Sequence, residues 1–169
     1  MNTCYKLQVP AHLHIWQQNA RKSQLTQHYI LNTDPSLYDL ILIQEPQIDS
    51  FSNTRGNHHW CIVYPSNHYL DGQPTIRSII LANNNISTDS YSALNIPDSN
   101  ISAICLKGDF GHCSIFNIYN DCNYNSTTDM LRLFLDTNPV EALPHSTDHM
   151  FWMANFNRHH PLWEEDRNH

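Results

Sequence analysis

The segment Asp39-Leu40-Ile41-Leu42-Ile43-Gln44, closed by Glu45-Pro46, constrains the fold more than any other. A short continuous apolar run of this kind suits a β-strand covered on both faces, which requires a sheet with a layer packed on either side. It ends abruptly on a carboxylate and a proline, so the chain must turn just where a charged group emerges.

Other runs supply the rest of such a sheet. Leu13, Ile15 and Trp16 open a strand that continues into Gln17, Gln18 and Asn19. From Ser23 to Leu31 the apolar spacing at Leu25, Tyr29 and Ile30 is helix-like, until Asp34-Pro35 breaks it. β-rich runs follow at Trp60 to Tyr64, Thr75 to Leu81, Ile101 to Leu106 and Cys113 to Tyr119, separated by polar turn-forming segments. Lys107-Gly108-Asp109 reads as a hairpin turn, and Asn83 to Ser92 and Asn95 to Ser102 read as loop borders. Ser126 is placed to cap a helix with Met130, Leu131, Phe134 and Leu135 on its apolar face. Pro139 and Pro144 then precede a final run from His149 to Phe156. Helices between more numerous strands predict an α/β layered sandwich with mixed, largely antiparallel sheets, as one domain over 1–169.

The chain is 40% apolar and 15% charged over 169 residues, which is enough to bury a core. Its net charge of −7 argues weakly against nucleic-acid binding, although a metal ion can supply positive charge locally. No apolar stretch reaches the roughly 18 residues of a membrane span, and Met1 to Val9 lacks a secretory pattern. The expectation is a soluble intracellular protein, nuclear or cytoplasmic, with no membrane partner and no stable protein partner. Cys4, Cys61, Cys105, Cys113 and Cys122 form no Cys-x-x-Cys pair and read as reduced, buried thiols. The pairs His12-x-His14, His58-His59, His145-x-x-x-His149 and His159-His160 fit no recognised zinc spacing, and all but His159-His160 read as polar surface.

Chemistry-bearing residues collect where apolar strands end: Gln18-Asn19, Gln44-Glu45 and Asn155-Phe156-Asn157, the last followed by Arg158-His159-His160-Pro161-Leu162-Trp163. Strand ends are where sites gather in α/β proteins. A carboxylate there can hold a hard divalent cation, and flanking amides can orient it.

In combination these segments resemble the endonuclease/exonuclease/phosphatase superfamily, the deoxyribonuclease-I-like fold. The initial strand ends in Gln18-Asn19, the second in Glu45-Pro46, and Phe116-Asn117-Ile118-Tyr119 matches that superfamily's Asn-x-Tyr strand. The segment from Trp152 to Trp163 resembles the Gly-Asp-Phe-Asn-x-His-His-x-x-Trp segment of non-LTR retrotransposon endonuclease domains. The His-His-Pro-Leu-Trp ending and Asn117-Ile118-Tyr119-Asn120-Asp121 narrow the likeness to the fungal members.

The resemblance implies a metal-dependent phosphodiesterase that hydrolyses DNA with Mg²⁺ or Mn²⁺. It implies Glu45 as a metal ligand supported by Asn19, and Tyr119 approaching the scissile phosphate. Asn157 would bind a phosphate oxygen or the transition state, Asn155 would stand at the position that aligns water, and Asp121, Arg158, His159 and His160 would border the substrate. Two departures accompany it. Ala154-Asn155 stand where the family has Gly-Asp, and losing a general base costs about 10²–10⁴-fold in rate. The family's closing Asp and Ser-Asp-His elements would lie beyond His169, which implies a domain without its C-terminal strands. Three readings follow: an impaired endonuclease, an inactive relic or binding module of the same fold, and a histidine-rich metal-binding module of other ancestry.

Overall fold

In the computed structural model, which describes residues 12–70, 72, 75–121, 125–138 and 148–155, the Leu40–Gln44 run is strand β2, and all five of its residues are buried. Strand β1 (Ile15–Asn19) lies parallel to it, β4 (Ser78–Asn83) antiparallel on its other side, and β3 (Trp60–Val63) antiparallel to β4. A second sheet runs β5-β6-β7-β8, from β5 (Tyr91–Ala93), β6 (Ile101–Gly108) and β7 (Gly111–Tyr119) to β8 (His149–Asn155). Its first two pairings are antiparallel and the last is parallel.

The period-two alternation of side chains sorts the core into three sheets of contact. Leu40, Leu42, Ile80 and Ala82 of the first sheet meet Ile104, Leu106 and Ile115 of the second. The opposite faces carry Ile41, Ile43, Ile79 and Leu81 against helix α1 (Gln24–Leu31), and Ala103, Cys105, Phe116 and Ile118 against helix α2 (Ser126–Thr137). The result is a layered α/β sandwich, helix–sheet–sheet–helix, with both sheets mixed. Burial of each large aliphatic side chain contributes about 1.5–3 kcal/mol relative to exposure.

At one end the layer between the sheets turns from apolar to polar. Gln44 and Ser78 are cross-strand partners in one sheet, Ser102 and Asn117 in the other, and all four are buried. The Asn117 side-chain amide donates to the carbonyls of Ile43 (3.0 Å) and Ile79 (2.9 Å), and its oxygen accepts from the Gln44 amide (2.5 Å). The Ser78 hydroxyl donates to the Asn117 carbonyl at 2.8 Å and lies 2.7 Å from that of Ser102. Buried polar groups are tolerated only when partnered in this way. The two sheets are therefore locked in one register by a side chain of β7 reaching across to β2 and β4.

Several local expectations are corrected. Leu25 and Tyr29 of α1 are 80% and 70% exposed, while Gln27, Ile30 and Leu31 face inward. Gln27 earns its interior position by bonding Thr54 and accepting from the Gln47 backbone at 2.8 Å, so hydrogen bonding overrides apolar spacing. Helix α1 does begin as expected, with Ser23 accepting from the Thr26 N–H. In α2 the cap position is Asn125, without a side-chain cap bond, and Ser126 is already helical; Leu131 and Phe134 are buried and Met130 and Leu135 partly so. The strand expected from Thr75 begins at Ser78, and β5 begins within the segment Asn83 to Ser92 expected as a loop border.

The β6–β7 hairpin turns through Asp109 and Phe110, with Gly108 opposite Gly111 and Gly111 at φ +96°. Cys105 and Cys113 are buried, and burial pushes the Cys113 thiol up to about 11. Cys61 is exposed, against expectation, because β3 turns it outward; Cys4 and Cys122 lie outside the described residues. Among the described residues no helix is long and apolar enough to cross a membrane.

Asn117→Ala removes both donors and the acceptor of Gln44 in a buried site. It should lower the unfolding free energy by about 3 kcal/mol or more, against about 1 kcal/mol for Ser102→Ala. Equilibrium urea titration followed by tryptophan fluorescence measures both.

Candidate active site

The polar end of the sandwich is also where the singled-out strand ends meet. Asn19 is the last residue of β1 and pairs with Gln44, the last of β2; Tyr119 ends β7 and pairs with Asn155, which ends β8. The Asn120 N–H donates to the Asn155 carbonyl at 2.9 Å. Parallel pairing in each sheet aligns two carboxyl ends, and the Asn117 bridge holds the sheets together just beneath them.

Glu45 leaves β2 with φ +46°, a left-handed conformation that a non-glycine residue adopts at a cost. Its backbone is held from two sides: its N–H donates to the Arg77 carbonyl (2.8 Å) and its carbonyl accepts from the Lys22 N–H (2.8 Å). Arg21 and Lys22 also have positive φ, at 49° and 58°, in the four-residue turn that the Ser23 N–H closes on the Ala20 carbonyl. The Asn19 side-chain oxygen accepts from the Arg21 N–H at 2.8 Å, which steadies this turn. Among the described non-glycine residues, only Ser52 has a positive φ away from this corner. Strain concentrated at one place is a mark of functional positioning.

Tyr119 is buried, and the Glu45 carboxylate interacts with its phenol. Burial, reinforced by the neighbouring Glu45 carboxylate, pushes the phenol above its ordinary value. Tyr119 is therefore a neutral donor at neutral pH. Arg77, which the sequence reading passed over, stands just before β4 with its guanidinium 5.1 Å from the Tyr119 ring centroid. Its Nη1 donates to Asp121 Oδ2 at 2.9 Å. The only sequence signal for Arg77 was a lone cation at the start of an apolar run.

Glu45, Asn19, Tyr119, Asp121 and Asn155 thus sit at one end of the fold. Asn157, Arg158, His159 and His160 lie outside the described residues. Among the described residues no group of three or more His, Cys, Asp or Glu side chains is gathered to hold a metal. Mg²⁺ commonly takes one or two carboxylates and keeps several waters, so Glu45 suits a single anchor for a hydrated ion rather than part of a protein cage.

The arrangement of two mixed sheets between helices is the deoxyribonuclease-I-like layered sandwich. Among solved structures, the chain is similar to the endonuclease domain of TRAS1, a telomere-specific non-LTR retrotransposon, with a TM-score of 0.59 at 13% identity. The match covers 90% of this chain and 62% of that one. No family model matches the sequence, and no curated protein matches it. The likeness is one of fold.

The strain at Glu45 has a measurable signature. Glu45→Gly should be more stable than Glu45→Ala by about 1 kcal/mol, the reverse of their usual order, because only glycine enters the left-handed region freely. Paired thermal or urea unfolding of the two variants checks it.

Proposed function

We propose that this chain is a metal-dependent phosphodiesterase domain of retrotransposon-endonuclease type, acting on DNA and slowed by the amide at Asn155. The observation that supports the reading most is the meeting of Glu45 and Tyr119 at the shared end of both sheets, where the carboxylate acts on the phenol. Glu45 would hold Mg²⁺ or Mn²⁺, with Asn19 in support through the turn it steadies. The ion, when bound, supplies charge that stabilises the phosphate and the leaving oxygen.

Tyr119, protonated at neutral pH, would turn its one O–H to a phosphate oxygen when substrate is bound, and its raised pKa keeps it a donor into the alkaline range. Asn155 orients the attacking water by hydrogen bonding but, as an amide, takes no proton from it. Asn157 would contact a phosphate oxygen, with Asp121, Arg158, His159 and His160 on the substrate side.

A second reading, a binding module that keeps the fold without turnover, is favoured by the amide at Asn155. Nicking of supercoiled plasmid by the purified chain at low salt, with and without Mg²⁺, separates the two. Low salt offsets the negative charge of the protein. We expect slow Mg²⁺-dependent nicking that Glu45→Ala abolishes; nicking that persists unchanged in Glu45→Ala overturns the assignment. No nicking by the parent chain, together with measurable DNA binding, supports the binding module.

A further inference from the structure

Arg77 has more structure built around it than a surface cation needs. Its N–H donates to the Ser99 carbonyl at 2.9 Å and its carbonyl accepts from Glu45, so its backbone ties the strained corner of the first sheet to a loop of the second. Its side chain is held as well, by Asp121 at 2.9 Å on one edge and by the face of Tyr119 below. Tyr119 in turn reaches Glu45. Yet the side chain is still 33% exposed.

A guanidinium carries five N–H donors in a planar fork. The Asp121 bond uses Nη1 and orients the plane, and the partial exposure leaves part of the fork open to a ligand. Planar forks of this kind match the oxygens of a phosphate, and orientation before binding reduces the entropy lost on contact. The surroundings add a reason: a chain with nine Lys and Arg against sixteen Asp and Glu repels a polyanion on average. A fixed local cation must offset that repulsion wherever a phosphate comes close.

Resting on the phosphodiesterase reading above, we propose that Arg77 anchors a backbone phosphate of the bound DNA beside Glu45 and Tyr119, with Asp121 as its positioning residue. Asp121 then serves the substrate side through the guanidinium. A brace that merely joins the two sheets would make the same ion pair, but its loss would change stability and leave the ionic component of DNA binding untouched.

Fluorescence anisotropy of a short labelled DNA duplex, with EDTA present to prevent turnover, reads affinity across a series of salt concentrations. Arg77→Ala should weaken binding about tenfold and lower the slope of log K against log salt by about 0.9, the value for one phosphate contact. Arg77→Lys and Asp121→Asn should keep the slope of the parent chain, because each keeps the cation. If Arg77→Ala fails to fold, Arg77→Gln, which preserves a donor toward Asp121 without the charge, should show the same loss of slope. A folded Arg77→Ala or Arg77→Gln protein with unchanged affinity and slope overturns the proposal and leaves the phosphodiesterase reading standing. A parent chain that neither binds the duplex nor nicks plasmid overturns both.

Discussion

The side chain of Asn117 is the interaction on which the rest of this structure depends. Two sheets packed through Leu, Ile and Ala alone could slide or rotate, because dispersion and the hydrophobic effect have little directional preference. Hydrogen bonds from one amide to the carbonyls of Ile43 and Ile79, answered by Gln44, remove that freedom. They act at the end of the sandwich where Asn19, Glu45, Tyr119 and Asn155 are carried. A buried polar network, fully partnered, specifies one arrangement where an apolar interface would accept several. The position of the site is therefore tied to a residue that does not enter it.

The same corner holds conformational cost. Arg21, Lys22 and Glu45 are all in the left-handed region, and each is fixed by hydrogen bonds from a neighbouring element. The energy that keeps them there comes from elsewhere: the wholly buried β2, the facing layer of aliphatic side chains and the two helices on the outer faces. Stability is gathered in the apolar layers and expended at the polar end, a common division in proteins with a functional site. Asp121 and Arg77 extend this corner onto the second sheet, so that one guanidinium, a phenol and two carboxylates lie together.

Much of the fold was legible because its strands carry strong, short signals. The continuous apolar run from Leu40 to Ile43 suited a strand with layers on both sides, and the β-rich runs Ile101 to Leu106 and Cys113 to Tyr119 are strands β6 and β7. The candidate site was legible in part, since Glu45, Tyr119 and Asn155 each end a recognisable strand. Helix α1 misled because Gln27, rather than Leu25, was chosen for the interior, and its partners Thr54 and Gln47 lie on a distant loop. Arg77 escaped notice for the same kind of reason: its meaning comes from Asp121, 44 residues away, and from a ring on another sheet.

Sequence by itself determined the β-rich runs, the two helices, a hairpin turn at Lys107-Gly108-Asp109 and the residue types available where strands end. These are properties of neighbours along the chain, set by side-chain period, backbone freedom and hydrophobicity. Only the tertiary structure decided which strand ends share a corner, that Asn117 is a bridge rather than a site residue, and that Arg77 is held over Tyr119. Those outcomes depend on hydrogen bonds and ion pairs between residues far apart in sequence, whose energies appear only once packing has brought the groups together and removed them from water.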